Sequence, residues 1–196
     1  NELRAAVGVQ RGSPILGLDP EAAKARIERL PWVAQAAVAR NLPATVRVVL
    51  HERRPMARWQ HRGRVQVLDR TGTPVHGADA GRFAHLPLVV GPGAPPETKT
   101  LLKTLRSRPD LARRVAAAVH VSQRRWNVRM HNGVTVQLPD GDAAAAWQRL
   151  ARLEARYGLL QRAIRAVDLR LPDQLVVRLE PDAEPYGPAI ARGEAT

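Results

Sequence analysis

The side chains that could support catalysis or bind a metal ion are few and scattered along this sequence. Six histidines lie at positions 51, 61, 76, 85, 120 and 131, and none has a second ligand at metal-binding spacing. His51 and Glu52 are neighbours on a predicted strand, so their side chains point to opposite faces and cannot form a local acid–base couple. Cysteine is absent, which removes thiolate nucleophiles and cysteine-based zinc sites.

Two short glycine-containing segments look like ligand loops but lack the groups that such loops need. Gly91-Pro92-Gly93 contains a proline, which has no N–H to offer a phosphate. Asp140-Gly141-Asp142 lacks the further oxygen ligands that calcium needs, and it fits a turn followed by a helix cap. We therefore expect no catalytic residue, no metal and no cofactor, and the chain is predicted not to be an enzyme.

The net charge of +13 raises the question of a nucleic-acid partner. Only Lys24, Lys99 and Lys103 among the 31 basic residues are lysines, and the arginines are spread along the whole chain. Abundant Ala, Arg, Gly and Pro are typical of a GC-rich genome, which raises the arginine content without a functional reason. Aromatic residues make up only 4% of the chain, and no base-stacking motif surrounds them. A basic solvated surface is the better explanation, and it would attract acidic protein surfaces through long-range steering.

The elements that must position any binding surface form an α+β pattern in the first third of the chain. Asp19-Pro20 is a strong helix start, because the aspartate can accept orphan N–H groups and proline suits the first helical position. No apolar stretch comes close to the length of about 18 residues that a membrane helix needs. The predicted elements before Arg54 are a helix over 3–7 capped by Asn1, a helix over 20–30, and strands over 32–38 and 45–52.

Pro55 opens a second region of short hairpins and helices. Its clearest turn is Asn132-Gly133, a strong hairpin signal. Asp142 is expected to cap a helix that ends at Tyr157, before Gly158, with Ala146, Leu150, Leu153 and Tyr157 along one face. The other predicted elements are strands at 57–60 and 65–69, a loop at 91–96, helices at 97–106 and 109–115, strands at 126–130 and 134–138, and final strands at 166–171 and 175–180.

The final strand is the candidate recognition surface. An edge strand exposes unpaired N–H and C=O groups, and a partner strand can add to such an edge. Residues 175–179 are strongly β-prone and form the last predicted strand, so they are the candidate edge. The alternative is that this strand pairs on both sides within its own sheet.

Several motifs occur together in one order. They are Leu30-Pro31-Trp32-Val33, Glu52-Arg53-x-Pro55, Val67-x-Asp69-x-x-Gly72, Arg124-Arg125-Trp126, Asn132-Gly133 and Val167-Asp168-Leu169-Arg170. In these residues the chain closely resembles the FtsQ/DivIB family of bacterial cell division proteins, and the resemblance covers most of its length.

The resemblance implies the fold class and the location of the protein. We expect an α+β fold with an N-terminal POTRA domain over 1–54, lacking the first strand that would precede Asn1. A β domain with an antiparallel sheet and helices would follow over 55–182, and a flexible tail over 183–196. The family places this portion in the periplasm, behind a cytoplasmic tail and a single inner-membrane helix, at the division septum.

The resemblance also implies a non-enzymatic scaffold of the divisome, without cofactors, that binds the FtsB–FtsL pair. In the family, FtsB adds a strand to the last strand of the β domain, and the POTRA domain assists recruitment, with FtsK as a further partner. Leu171 and Leu179 stand where the family often has tyrosine and tryptophan, so the contacts are expected to be more aliphatic. We further hypothesise that acidic residues of FtsB meet a set of arginines, namely Arg149, Arg152 and Arg156 of the preceding helix together with Arg170 and Arg178. The predicted partner-binding residues are Leu171, Asp173, Leu175, Val176, Val177, Arg178, Leu179, Arg149, Arg152, Arg156 and Arg170.

Two other functions are kept as alternatives. A POTRA-containing transport or chaperone module of outer-membrane assembly or secretion would carry POTRA units ahead of a membrane barrel. A basic nucleic-acid-binding protein would bind DNA with a strong salt dependence, whereas the periplasmic interpretation predicts only weak, non-specific association.

Overall fold

Two helices and a strand pair open the computed structural model, which describes residues 2–9 and 12–181. These residues separate into two compact units between Lys99 and Thr100. The predicted helix cap Asn1 and the predicted tail over 183–196 lie outside the described residues, and the domain limits 1–54 and 55–182 stay a prediction. The first elements are α1 (Glu2–Val7), a 3₁₀ turn (Ile15–Gly17), α2 (Pro20–Glu28), β1 (Val33–Asn41) and β2 (Thr45–Glu52).

Helix α2 begins as its sequence predicts. The Asp19 carboxylate accepts hydrogen bonds from the backbone N–H groups of Glu21 and Ala22, at 3.0 and 3.2 Å, and Pro20 takes the first helical position. Ile27 on this helix and Val33 on β1 are fully buried in one small core. Strands β1 and β2 pair antiparallel and pack against α2 on that core.

The rest of the first unit is a second sheet. Its strands are β3 (Pro55–His61), β4 (Arg64–Asp69), β5 (Pro74–Val75) and β6 (Leu88–Val90), in the order β6-β3-β4-β5, with a 3₁₀ turn at Ala80–Phe83. Strands β3 and β6 are parallel and the other neighbours are antiparallel.

Helix α3 (Ala94–Arg106) starts earlier than predicted. The glycine- and proline-rich stretch over 91–96 predicts a loop there, including Pro95 and Pro96. The first helical turn leaves its N–H groups unpaired in any case, so prolines without an N–H are tolerated there.

The second unit is built around a five-stranded sheet in the order β7-β8-β9-β10-β11. Strands β9 and β10 are parallel, connected through α5, and the other neighbours are antiparallel. The predicted α+β fold is confirmed, and each unit adds one parallel strand pair to its otherwise antiparallel pairing, so both units contain mixed sheets. The elements are α4 (Pro109–Ala112), β7 (Val115–Val121), β8 (Arg125–Met130), β9 (Thr135–Gln137), α5 (Ala143–Tyr157), a 3₁₀ turn (Leu159–Gln161), β10 (Ile164–Asp168) and β11 (Val176–Leu179).

Two local predictions in this unit are wrong. The predicted second helix stops at Ala112, and Val115 opens strand β7, because pairing with β8 overrides the helix propensity of this alanine-rich segment. On α5 the buried face is centred on Trp147, which is fully buried and donates its Nε1–H to the Leu105 carbonyl at 3.2 Å, whereas Tyr157 is 49% exposed. The predicted cap is confirmed: the Asp142 side chain accepts from the N–H of Ala145.

Candidate protein-docking edge

Strand β11 lies at the end of its sheet. It pairs antiparallel with β10, with Asp168 opposite Val176 and Ala166 opposite Arg178. Within residues 2–9 and 12–181 no strand pairs with its other side. The predicted strand over 175–180 is thus found, shortened to Val176–Leu179, as an edge strand of the described sheet.

Two backbone hydrogen bonds fix the direction of the amides along this edge. The N–H of Glu180 donates to the Ala163 carbonyl at 3.1 Å, so position 180 faces inward. The N–H of Leu169 donates to the Gln137 carbonyl at 3.0 Å, so the backbone groups of Leu169 face β9. The backbone groups of the alternate residues of β10 therefore face β11. Because these groups alternate along a strand, the N–H and C=O of Val177 and Leu179 point to the free side.

Exposed aliphatic side chains surround these outward-facing amides. Leu171 is 55% exposed, Leu175 40%, Val176 48% and Leu179 45%. Val177 is half-buried, because it lies opposite the buried Val167 and shares its face of the sheet. The edge therefore offers both backbone groups and apolar surface to an added strand.

Arg149 of α5 fastens the turn that leads into β11. Its Nη2 donates to the carbonyl oxygens of Leu171 at 3.1 Å and Gln174 at 2.8 Å, and its Nη1 donates to the carbonyl of Pro172. Such charge-assisted bonds are stronger than neutral ones. Asp173 is exposed in the same turn. The guanidinium, predicted to contact a partner, is thus directed at the chain's own backbone.

The other predicted arginines differ in their surroundings. Arg170 forms an ion pair with Asp168, with Nη2 2.6 Å from Oδ2 and Nε 2.9 Å from Oδ1. The hydrogen bond from the Arg170 side chain holds the pKa of Asp168 below its ordinary value, although partial burial acts in the opposite direction. The guanidinium of Arg156 lies 5.2 Å from the centroid of the Tyr157 ring.

The structure brings some of these arginines together and separates others. Arg149, Arg152 and Arg170 line one groove beside α5, while Arg178 lines a different groove across β9, β10 and β11. Arg156 lines neither. The second groove also contains Arg165, which the sequence did not single out, because nothing in the local pattern shows how β10 and β11 are paired.

Residues 2–9 and 12–181 contain no group of three or more His, Cys, Asp or Glu side chains that could hold a metal ion. Over the same residues no helix is long and apolar enough to cross a membrane.

Comparison with known protein families defines the class of this protein. Residues 1–53 match the FtsQ-type POTRA domain, and residues 57–170 match the C-terminal region of the cell division protein FtsQ/DivIB. Together with the α+β fold, these matches define a cell division protein with a POTRA domain followed by a β domain. The chain belongs to the FtsQ/DivIB family, which confirms the resemblance seen in the motifs.

Two FtsQ sequences agree with this assignment. FtsQ of Bradyrhizobium diazoefficiens is 38% identical over 183 residues, covering 93% of this chain and 54% of the relative. FtsQ of Caulobacter vibrioides is 38% identical over 184 residues, covering 94% and 61%. This chain therefore spans little more than half of those proteins. The extracytoplasmic domain of Geobacillus stearothermophilus DivIB superimposes with a TM-score of 0.38 at 16% identity, covering 56% of this chain and 97% of that domain.

Proposed function

We propose that this chain is the periplasmic part of a non-enzymatic divisome scaffold that captures FtsB, within the FtsB–FtsL pair, by strand addition to β11. The whole protein would be anchored in the inner membrane by one helix and would act at the division septum. FtsK is the proposed further partner of the POTRA domain. Family membership supports the division role, and the edge geometry supports the mode of binding.

The observation that carries this proposal is the outward direction of the Val177 and Leu179 backbone groups. An added strand can pair with both residues without breaking the ladder between β10 and β11. The aliphatic side chains of Leu171, Leu175 and Val176 would then pack against the added strand, and they offer the kind of apolar contact that anchors an interface.

The basic groove beside α5 would contribute charge next to this edge. Arg152 is exposed, whereas Arg149 already holds the turn and Arg170 already pairs with Asp168. We expect Arg152 to be the freest of these three to meet an acidic side chain. An exposed ion pair of this kind contributes at most about 1 kcal/mol, so the strand itself should dominate the affinity.

The backbone geometry selects the proline variant that tests strand addition. Proline at Val176 would remove an N–H that faces β10, whereas proline at Val177 removes an N–H that faces outward. We expect Val177→Pro to stay folded by circular dichroism and to bind purified FtsB–FtsL from the same organism at least about 100-fold more weakly. Unchanged affinity in the folded variant would contradict the proposed edge.

A charge substitution with a matched control gives a second test. Val176 is 48% exposed on β11, and Val49 on β2 is also 48% exposed. Val176→Glu is expected to weaken binding in calorimetric titration, while Val49→Glu, with the same chemistry and exposure, is expected to leave it unchanged. Equal losses in both variants would show a general charge effect and would count against the β11 site.

A further inference from the structure

A β-bulge shapes the groove that crosses β9, β10 and β11. The register between β10 and β11 shifts between Ile164 and Ala166, so Arg165 has no partner residue on β11. Bulges at sheet edges commonly redirect a side chain. Here Arg165 lines the groove together with Arg178 of β11.

The groove concentrates positive charge without an acid of its own. Its lining consists of Thr135, Gln137, Arg165, Ala166, Arg178 and Leu179, with no carboxylate among them. Both arginines are exposed. The nearby Asp168 interacts electrostatically with Arg178, but its two carboxylate oxygens already accept hydrogen bonds from Arg170. The groove thus retains capacity for an added negative charge.

We propose that this groove binds one acidic side chain of the strand that adds to β11, and that this contact sets the register of the added strand. The inference rests on the proposed function and deepens it. Backbone pairing alone specifies register weakly, and a slip by one residue would move every side chain to the other face. A carboxylate opposite Arg178 would be a favourable cross-strand pair, and Arg165 is placed to contribute a second guanidinium.

Ala166 makes such a contact sterically possible. It lies directly opposite Arg178 on β10 and is the smallest side chain lining the groove. The short side chain of Ala166 leaves open space between the two arginines, so an acidic side chain from a strand added outside β11 can lie there. Thr135 and Gln137 of β9 supply further polar groups on the far side of Ala166.

The experiment compares two double variants that remove the same charge. Arg165→Gln/Arg178→Gln removes both groove arginines, and Arg124→Gln/Arg129→Gln removes two exposed arginines outside the groove. Binding of FtsB–FtsL is titrated at several salt concentrations. We expect the groove variant to bind at least about tenfold more weakly at low salt with a shallower salt dependence, and the control to change by less than about twofold. Equal losses in the two variants would overturn the proposal.

A charge exchange identifies the acidic residue. Arg178→Glu is expected to bind weakly, and a single Glu→Lys or Asp→Lys substitution in the FtsB segment is expected to restore binding to that variant alone. Absence of any rescuing position would overturn the proposed register contact. If Val177→Pro leaves binding intact, strand addition itself fails, whereas loss with Val177→Pro and no effect of the groove variant rejects the groove alone.

Discussion

Replacing Arg149 by methionine should destabilise β11, the proposed docking edge, without changing any residue of that strand. The guanidinium bonds to three carbonyl oxygens of the turn between β10 and β11, those of Leu171, Pro172 and Gln174. Methionine keeps much of the aliphatic stem of arginine but offers no donor. The control is Arg152→Met, because Arg152 is an exposed arginine one turn along the same helix.

The size of the effect follows from the number and exposure of the bonds. A hydrogen bond to a charged group contributes about 1.5–3 kcal/mol when it is shielded from water. Arg149 is only half-buried, so we discount the three bonds together to about 2 kcal/mol. That value corresponds to an increase of about 30-fold in the equilibrium constant for local opening of the turn and β11.

Hydrogen exchange measured by mass spectrometry reports this opening directly. The N–H groups of Val176 and Arg178 face β10, so their exchange requires β11 to detach. In Arg149→Met we expect about 30-fold faster exchange in peptides covering β11 and unchanged exchange in β8, with Arg152→Met behaving as the parent chain. Unaltered β11 exchange in Arg149→Met, or equal acceleration in both variants, would refute the proposal that Arg149 stabilises the turn before β11.

Two further predictions concern stability. Burial alone would raise the pKa of Glu154, but hydrogen bonds, above all from Arg114, hold it below its ordinary value of 4.5. The ionised form of Glu154 therefore stabilises the fold above about pH 4.5, and this contribution is lost as the pH falls below that value. Glu154→Gln should lower the free energy of unfolding measured in urea, and this loss of stability should become smaller at acid pH. A loss of stability that is the same at every pH would contradict this. Gly72 has φ +85°, and an added Cβ would lie 2.6 Å from the Pro95 carbonyl oxygen, whereas Gly133 has φ +90° and no atom within 4 Å. Gly72→Ala should thus lower the melting temperature more than Gly133→Ala, since both incur backbone strain of about 1–2 kcal/mol but only the first adds a clash; equal losses would count against it.

The features that could be predicted from the sequence are local or are carried by motifs. Helix α5 follows from the Asp142 cap and from Gly158, which adopts the left-handed conformation at its end. Strand β2 is found with its predicted bounds, Thr45–Glu52, and the hairpin at Asn132-Gly133 joins β8 and β9 as expected. These depend on residues within a few positions of one another, so the physical cause lies within the local sequence. The ordered motifs identified the family, which the comparisons confirm.

The features that depend on pairing across the chain could not be predicted in this way, because they arise only when distant segments fold together. Strand β7 forms because β8 supplies its ladder, against a local preference for helix. Arg149 holds the turn before β11 because folding brings α5 against residues more than 20 positions later, and its predicted contact with a partner stays a prediction. Arg165 joins Arg178 only through the bulge between β10 and β11. Register and long-range contact are set by how complete strands pair and pack, and no short stretch of sequence contains that information.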